Sequence, residues 1–203
     1  MLSQLRPSLV VLGALTLITG VIYPLVVTAA AHGMFAHQAN GSLLESDGHV
    51  LGSSLIGQPF DDPRYFWSRP SGTAPVGYNA AASSGSNLGP TNPALLDAIK
   101  SRVEALRAAD PGNTAPVPVD LVTASASGLD PDISPAAAAY QAPRVARVRG
   151  LDLDRVQQLV LENTRPPDLG LLGDARVNVL SLDLALDTLE RSKPHEAGRA
   201  PRP

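Results

Sequence analysis

LVVLGALTLITGVIYPLVVTAAA, from Leu9 to Ala31, is the stretch that decides how this chain is organised. It contains no charged residue. As an α-helix rising about 1.5 Å per residue it spans roughly 34 Å, slightly more than the hydrocarbon core of a bilayer at about 30 Å. The stretch therefore predicts a single transmembrane helix over residues 9–31.

Small residues within this helix suggest a packing face. Gly13 and Gly20 have Ala14 and Thr16 between them. Such a stripe lets a second helix approach closely, although the same residues are equally compatible with a face turned to lipid. Pro24 removes a backbone N–H and predicts a kink, with the freed carbonyl satisfied by a neighbouring helix or a threonine hydroxyl. Gly13, Gly20 and Pro24 are therefore candidate partner contacts.

The basic residues that flank the helix predict its orientation. Arg6 precedes it, and no further Lys or Arg occurs until Arg64. The positive-inside rule then places residues 1–8 in the cytoplasm and the rest of the chain outside. The alternative is a cleaved signal peptide, because Ala29–Ala31 resembles a small-residue cleavage site. The apolar run is longer than the about 7–15 residues of a signal-peptide core, which favours a retained helix.

Beyond the helix, the sequence predicts three further segments. Residues 32–48 form a mobile connector, residues 49–191 form one soluble domain, and residues 192–203 form a disordered tail rich in Pro, Arg and Gly. The alternation of helical and strand patterns predicts a mixed α/β domain of the α+β type. Together these features predict a single N-terminal transmembrane helix followed by one extracytoplasmic domain.

Caps, prolines and hydrophobic spacing predict the elements of this domain. A helix starts at Pro93, a short helix lies near 118–123, and a third starts at Pro135 and is broken or kinked by Pro143. Asp152 caps a further helix. The remaining predictions are a strand or hairpin over Val50–Phe60, a strand over Arg176–Leu180, and a last helix capped by Ser181 or Asp183.

Composition and motifs exclude several classes of function. The net charge of −3 provides no basic footprint for nucleic acid. The chain has no cysteine, which rules out thiolate catalysis and zinc–thiolate sites. Neither a phosphate-binding glycine loop nor a serine-nucleophile elbow is present, and the four histidines lack carboxylates at ligand spacing. We therefore predict no catalytic, cofactor-binding or metal-binding residues.

One aromatic segment can be interpreted in two ways. Asp61, Asp62, Arg64 and Arg69 surround the aromatic residues 65–67. Trp, Tyr and Arg often dominate protein interfaces, so Tyr65, Trp67 and Arg69 are candidate partner contacts. Alternatively, the charges form internal ion pairs that pin a loop over an aromatic core.

Two smaller features also admit a functional and a structural interpretation. The glycine-containing loop from Ser84 to Gly89 can offer backbone amides to an anion, but such a loop is more often a turn. Asp130 and Asp132 can bind a cation, but they more often form a turn before the helix cap at Ser134.

Several ordered segments, taken together, resemble the C subunit of the Kdp high-affinity potassium-transporting P-type ATPase of bacteria. The resemblance extends from the membrane helix to about Asp187. Asp132 stands where this family usually has His, and Asp183 where it usually has Asn. The matching segments are GSSLIGQ (Gly52–Gln58), YFWSRPS (Tyr65–Ser71), SSGSNLGPTNP (Ser83–Pro93), DLVTASASGLDPDISPAAAAYQAPRVARVRGL (Asp120–Leu151) and VNVLSLDLALD (Val177–Asp187).

The resemblance implies an accessory subunit without a catalytic cycle of its own. Its partners are then a channel-like potassium-binding subunit, a P-type ATP-hydrolysing subunit and a small membrane peptide, and ATP and potassium are handled by the complex. Family descriptions call this subunit a catalytic chaperone that raises the ATP affinity of the motor subunit. The predicted topology separates the domain from cytoplasmic ATP and favours an allosteric effect. Candidate family-motif residues are Ser86, Asn87, Ser127, Asp130, Gln141 and Asn178.

A stand-alone, membrane-anchored periplasmic binding protein or enzyme is the alternative function. It requires a pocket with convergent polar groups, and no motif in the sequence marks one.

Overall fold

The computed structural model describes residues 2–46 and 48–191, and its N-terminal part is one long helix. After a 3₁₀ turn, α1 (Leu5–Leu17) and α2 (Tyr23–Met34) are joined by a π-helical turn, Ile18–Ile22. The combined helix, Leu5–Met34, is the one candidate membrane span among the described residues, long and apolar enough to cross a bilayer. It extends the predicted span, residues 9–31, at both ends.

The π-helical turn ends two residues before Pro24. A proline ring collides with the carbonyl four residues earlier, which here belongs to Gly20. The backbone accommodates the ring by widening, so that the Tyr23 N–H bonds to the Ile18 carbonyl five residues back. The Thr19 hydroxyl donates to the Leu15 carbonyl (2.7 Å). Pro24 thus changes the helical period without ending the helix.

A β-hairpin occupies much of the segment predicted to be a connector. Following α3 (Ala36–Ala39), strand β1 (Leu43–Ser46) pairs antiparallel with β2 (His49–Ser53). The strand predicted over Val50–Phe60 therefore ends early, and its hairpin partner lies upstream. The pairing depends on Gly48, whose φ of +78° suits a glycine in a tight link. The chain divides into two compact units between Ser53 and Ser54.

The second unit begins with a long loop and continues with the helix α4 (Pro93–Ala109). The Asn92 side chain accepts from the Ala94 N–H (2.9 Å), and Pro93 occupies the first helical turn, as the sequence predicted. A 3₁₀ turn at Val119–Leu121 confirms the predicted short helix.

Helix α5 (Pro135–Arg149) runs through the centre of the unit. Ser134 caps it, its hydroxyl accepting from the Ala137 N–H (3.0 Å). Of the two effects predicted for Pro143, a break or a kink, the break is wrong, because the helix continues through Pro143. Its neighbours Ala142 and Val145 are fully buried, so packing on both sides of the proline holds the helix together. Helix α6 (Leu153–Glu162) follows, capped by Asp152 as predicted.

A small antiparallel sheet completes the fold. Its strands are β3 (Asp132–Ile133), β4 (Thr164–Arg165) and β5 (Arg176–Asn178), in the order β3-β5-β4. Helix α7 (Val179–Arg191) starts directly after β5, two residues before the earlier of the two predicted caps. The cap is Asn178, whose Oδ1 accepts from the Ser181 N–H (3.0 Å), so the predictions of Ser181 or Asp183 are wrong.

The hydrophobic core lies between this sheet and helices α5, α6 and α7. Val145, Val156, Val177, Leu182 and Leu186 are fully buried there. The mixture of helices and short antiparallel strands confirms the predicted α+β class. The predicted tail, residues 192–203, lies outside the described residues.

Candidate functional site

The segment Phe60–Ser71, which we call the aromatic strap, lies across helices α5 and α7 without regular secondary structure. Its backbone groups therefore need partners outside the usual helix and sheet ladders. Gln141 of α5 provides two of them. Its Oε1 accepts from the Trp67 N–H (2.8 Å), and its Nε2 donates to the Trp67 carbonyl (3.1 Å). One side-chain amide thus imitates a strand neighbour for this residue.

Two arginines of α5 hold the carbonyls that precede Trp67. Arg144 donates to the carbonyls of Pro63 (2.5 Å) and Tyr65 (3.1 Å). Arg149 donates from Nε to the Arg64 carbonyl (2.6 Å). Three consecutive strap carbonyls are therefore bound by guanidinium groups, whose several donors suit this task.

These guanidiniums also stack on the aromatic rings of the strap. The Arg144 guanidinium lies 4.8 Å from the Trp67 ring centroid, and that of Arg149 lies 4.6 Å from the Tyr65 centroid. Burial lowers the pKa of Arg144 to about 10, opposed by Asp110 and then Asp183. Arg144 therefore remains a cation at neutral pH although it is 2% exposed.

Acidic residues of α7 complete the site. Asp187 and Glu190 bind the Arg149 guanidinium at 2.8 and 2.7 Å, and Asp187 also accepts from the Tyr65 hydroxyl (3.3 Å). Asp183 accepts from the Phe66 N–H through Oδ1 (2.9 Å). Its Oδ2 is buried with no hydrogen-bond partner among the described residues. Burial raises the pKa of Asp183 well above its ordinary value, which favours the neutral carboxylic acid.

A second charged chain starts at the far end of the strap. Arg69 bonds to Asp130 (2.8 Å), whose other oxygen accepts from the Asp132 N–H (3.0 Å). Asp132 contacts Arg176 (3.5 Å) and accepts from Asn178 Nδ2 (3.1 Å). Burial raises the pKa of Asp132, and the Asn178 hydrogen bond opposes that shift. Asp130 thus forms the turn that the sequence favoured over a cation site.

The glycine-containing loop, Ser84–Gly89, packs against another backbone segment. A Cβ on Gly85 would lie 2.9 Å from the Ala126 carbonyl oxygen. A Cβ on Gly128, whose φ is +66°, would lie 2.5 Å from the Ser84 carbonyl oxygen. Because the two glycines are needed for this close approach, the geometry favours the interpretation as a packed turn over an anion cradle.

The candidate partner contacts fall into two groups. No atom lies within 4 Å of a Cβ placed on Gly13 or Gly20, so both leave open space for another helix. The Tyr65 hydroxyl, Trp67 Nε1 and Arg69 Nη1 instead each donate a hydrogen bond to a residue of the same unit, as the internal interpretation of the strap requires.

The candidate family-motif residues are either buried side chains with internal hydrogen bonds or residues of turns and loops. Gln141 and Asn178 are 1% and 4% exposed and have only internal hydrogen bonds. Ser127 caps a turn, its Oγ accepting from the Leu129 N–H (3.1 Å). Asn87 adopts a left-handed φ of +51°, and Ser86 is its neighbour in the packed loop.

Sequence reasoning missed Arg144 and Arg149 as members of the site. The available signal was the spacing of Gln141 and Arg144, which places two long polar side chains on one face of a helix otherwise rich in alanine and valine. Over residues 2–46 and 48–191, no group of three or more His, Asp or Glu side chains is arranged to hold a metal ion.

A cavity of about 320 Å³ lies beside the strap. Its lining is mainly apolar, and Arg69 and Arg102 also lie on its wall. The Arg102 guanidinium donates to the Val122 carbonyl (2.8 Å). The other lining residues include Phe60, Trp67, Tyr78, Leu106 and Leu121.

Comparison with known proteins gives a consistent result over almost the whole chain. The family model described as "KdpC: K+-transporting ATPase, c chain" matches residues 5–188. The Potassium-transporting ATPase KdpC subunit of Polaromonas naphthalenivorans is 69% identical over 186 residues, which cover 92% of this chain and 95% of the relative. The subunit of the same name from Methylococcus capsulatus is 68% identical over 189 residues, covering 93% and 100%. That of Variovorax paradoxus is 65% identical over 183 residues, covering 90% and 95%.

Proposed function

The chain belongs to the KdpC family, the c chain of K+-transporting ATPases, and we propose that it is a non-catalytic accessory subunit that assembles the complex and modulates its ATP-hydrolysing subunit. Family membership over residues 5–188 is the observation that carries this proposal. The D-K-T-G phosphorylation motif of a P-type pump does not occur in the sequence, which fits a subunit other than the motor.

The proposed partners are a channel-like potassium-binding subunit, the P-type ATP-hydrolysing subunit and a small membrane peptide. The combined helix Leu5–Met34, which we call the anchor helix, packs between these subunits, and Gly13 and Gly20 provide a surface on which another backbone can approach closely. The second unit lies on the extracytoplasmic side, over the potassium entrance. The absence of Lys and Arg between Arg6 and Arg64 supports this orientation.

The subunit has no cofactor of its own, and its effect on ATP affinity is allosteric. Gln141 and Arg144 belong to the longest segment that matches the family, and both are almost fully buried. Their polar atoms bind the aromatic strap, which leaves them unavailable to a nucleotide in this conformation. The subunit therefore acts by stabilising one state of its partners, and linkage requires that nucleotide binding to the motor subunit favours the same state.

Deletion and complementation test this proposal. A strain without the chain is expected to stop growing at micromolar potassium, and plasmid-borne wild type is expected to restore growth. The tagged chain is also expected to co-purify with two larger membrane proteins. Normal growth of the deletion strain at micromolar potassium contradicts an essential role in the complex.

The cavity beside the strap supports the alternative function, a stand-alone binding protein. Trp67 is the only tryptophan of the chain and lies on the cavity wall, so its fluorescence reports on any occupant. Titration of the purified chain with small organic anions is the direct test, since Arg69 and Arg102 lie on that wall. A saturable Trp67 signal together with normal low-potassium growth of the deletion strain favours the binding protein over the pump subunit.

A further inference from the structure

We propose that the loop Asp168–Gly173, which we call the leucine loop, is a docking element that inserts its leucines into an apolar recess, rimmed by basic residues, on another subunit of the same complex. This inference rests on the proposed function. It follows from the exposure of the leucines, the rigidity of the loop and the charge beside it.

The leucine loop presents three apolar side chains to solvent. Leu169, Leu171 and Leu172 are 90%, 87% and 62% exposed. Single exposed leucines are ordinary on protein surfaces, but three on one short loop form a contiguous apolar patch, and such patches often mark an interaction site. The chain does not turn these side chains towards its own core, which is filled by the valines and leucines of β5, α6 and α7.

The loop is held in a fixed shape by its own backbone. Asp168 and Leu172 exchange two backbone hydrogen bonds, each of 2.9 Å. Leu169 has a left-handed φ of +55°, a conformation that residues with a side chain rarely adopt. Arg176 of β5 ties the loop to the sheet by donating to both carboxylate oxygens of Asp168 (3.2 and 3.4 Å). A loop that is already ordered loses little conformational entropy when it binds.

An acidic concavity continues from the end of the loop. Gly173 and the exposed Asp174 line it together with residues of the second charged chain. Four carboxylates and two guanidiniums lie in this lining, so its net formal charge is negative. A complementary surface on the partner is positive. The attraction between the two surfaces steers the partner to the loop and orients it. The charged residues in the lining are Asp120, Asp130, Asp132, Asp174, Arg69 and Arg176.

This chemistry favours a protein partner over the two other possible occupants. Loops that enter a lipid surface carry aromatic or basic side chains at the interface, whereas the leucine loop begins with Asp168, is followed by Asp174 and contains neither an aromatic nor a basic residue. A second copy of this chain would bring two negative surfaces together. The leucines also form a patch smaller than the roughly 800 Å² that each partner buries in a standard interface. The loop therefore fits as an anchor within a larger contact to a different subunit.

Co-purification of the whole complex tests the proposal. The triple variant Leu169→Ser, Leu171→Ser and Leu172→Ser is expected to recover the two larger subunits at least about tenfold less efficiently than wild type, since burial of a single leucine already contributes about tenfold in affinity. Leu161→Ser is the matched control, because Leu161 is 73% exposed on α6, outside the loop. It is expected to behave as wild type. Thermal unfolding of both purified full-length variants checks that they fold.

The outcomes separate this inference from the proposed function. If wild type recovers the larger subunits and the triple variant does so equally well, the docking role is wrong while the proposed function stands. If wild type recovers none, the proposed function itself fails.

A fluorophore attached to Leu171→Cys distinguishes the remaining occupants. In the assembled complex its emission is expected to shift to the blue, and for the chain alone in vesicles of zwitterionic and anionic lipids it is expected to remain at the solvent value. A blue shift in the vesicles alone identifies lipid, and a shift that depends on the concentration of the isolated chain in detergent identifies a second copy. Either result overturns the proposal.

Discussion

Arg144 and Gln141 illustrate at the scale of single residues how buried polar groups specify the position of a loop. Hydrophobic contact alone would allow the aromatic strap to slide along α5, because apolar packing has little directionality. Each hydrogen bond made by Gln141 or Arg144 instead fixes one backbone atom of the strap at one position along α5. Because Gln141 and Arg144 are buried, losing either side chain leaves polar groups of the strap that water cannot reach. Such unsatisfied groups lower the free energy of unfolding.

Gln141→Ala is expected to lower the free energy of unfolding by about 2–4 kcal/mol, because it leaves both the N–H and the carbonyl of Trp67 without partners. Denaturant unfolding of the full-length chain in detergent, followed by Trp67 fluorescence, measures this loss. Gln158→Ala is the control, since Gln158 is exposed on α6, and it is expected to change stability by less than about 0.5 kcal/mol. Equal stability of the two variants contradicts the role assigned to Gln141.

Asp183 provides a prediction about pH. Burial raises its pKa in the folded chain above the ordinary value that applies to the unfolded chain. Between those two values the folded state holds the proton and the unfolded state does not, so this group makes stability fall as pH rises towards the folded pKa. Asp183→Asn imitates the protonated acid and is expected to remove that fall.

Unfolding free energies of wild type and Asp183→Asn, measured from acidic to neutral pH, test this prediction. As pH rises, the free energy of unfolding of wild type is expected to fall relative to that of Asp183→Asn. Asp97→Asn, on the exposed face of α4, is the control for replacing an acid by an amide where the side chain is exposed. Parallel curves for wild type and Asp183→Asn would show that Asp183 is not held neutral. The resemblance noted above, in which this position is usually Asn, is consistent with a neutral side chain.

The sequence identified the strap and its charges but could not choose between a docking surface and an internal contact. That choice depends on Gln141, Arg144 and Asp183, which lie more than 70 residues away along the chain. No local pattern encodes which distant backbone atom a buried amide will bind. The sequence also could not show the exposure of the leucine loop, because alternating Leu and Gly is equally compatible with a buried turn.

At the scale of elements, the correct predictions were those that depend on residues close together in the sequence. The starts of α4, α5 and α6 were predicted because each cap lies within a few residues of the N–H group that it binds. The ends of the strands were not, since a strand ends where its partner ends. Strand β2 stops at Ser53 opposite Leu43, and β5 stops at Asn178 opposite Asp132.

Ser134→Ala tests the cap of α5. Ser134 accepts from Ala137 and also binds Asp120, through its N–H (2.7 Å) and its hydroxyl (3.2 Å). Removing the hydroxyl is expected to cost about 1–2 kcal/mol of unfolding free energy. Asn92→Ala on α4 removes a cap that makes only the local bond, and the expected loss is about 0.5–1 kcal/mol. Urea unfolding of both variants makes the comparison, and a smaller loss at Ser134 than at Asn92 contradicts this ranking.

At the scale of the whole molecule, the proposed topology determines which mechanisms are possible. The chain contains no native cysteine, so each introduced cysteine reports on its position alone. Gln157→Cys, on the exposed side of α6, is expected to react with a membrane-impermeant maleimide in intact spheroplasts. Ser3→Cys, in the segment before the anchor helix, is expected to react only after lysis.

Labelling is measured as the fraction of each cysteine modified before and after lysis. The reverse pattern places the second unit in the cytoplasm and makes direct contact with ATP possible. Modification of both cysteines in intact spheroplasts contradicts a cytoplasmic N-terminus. Mass spectrometry that finds a mature N-terminus near His32 instead identifies the anchor helix as a cleaved signal peptide.

The attachment of the aromatic strap also sets the order of events during synthesis. The strap is synthesised early, but the Phe66 N–H has no hydrogen-bond acceptor until Asp183, 117 residues later, has also been synthesised. Arg64 likewise can form its ion pair with Glu190 only after a further 126 residues have been synthesised. The second unit therefore cannot close until the ribosome has finished α7, long after the anchor helix has emerged. Contacts between residues so far apart along the chain slow folding, because a long loop must close before each of them can form.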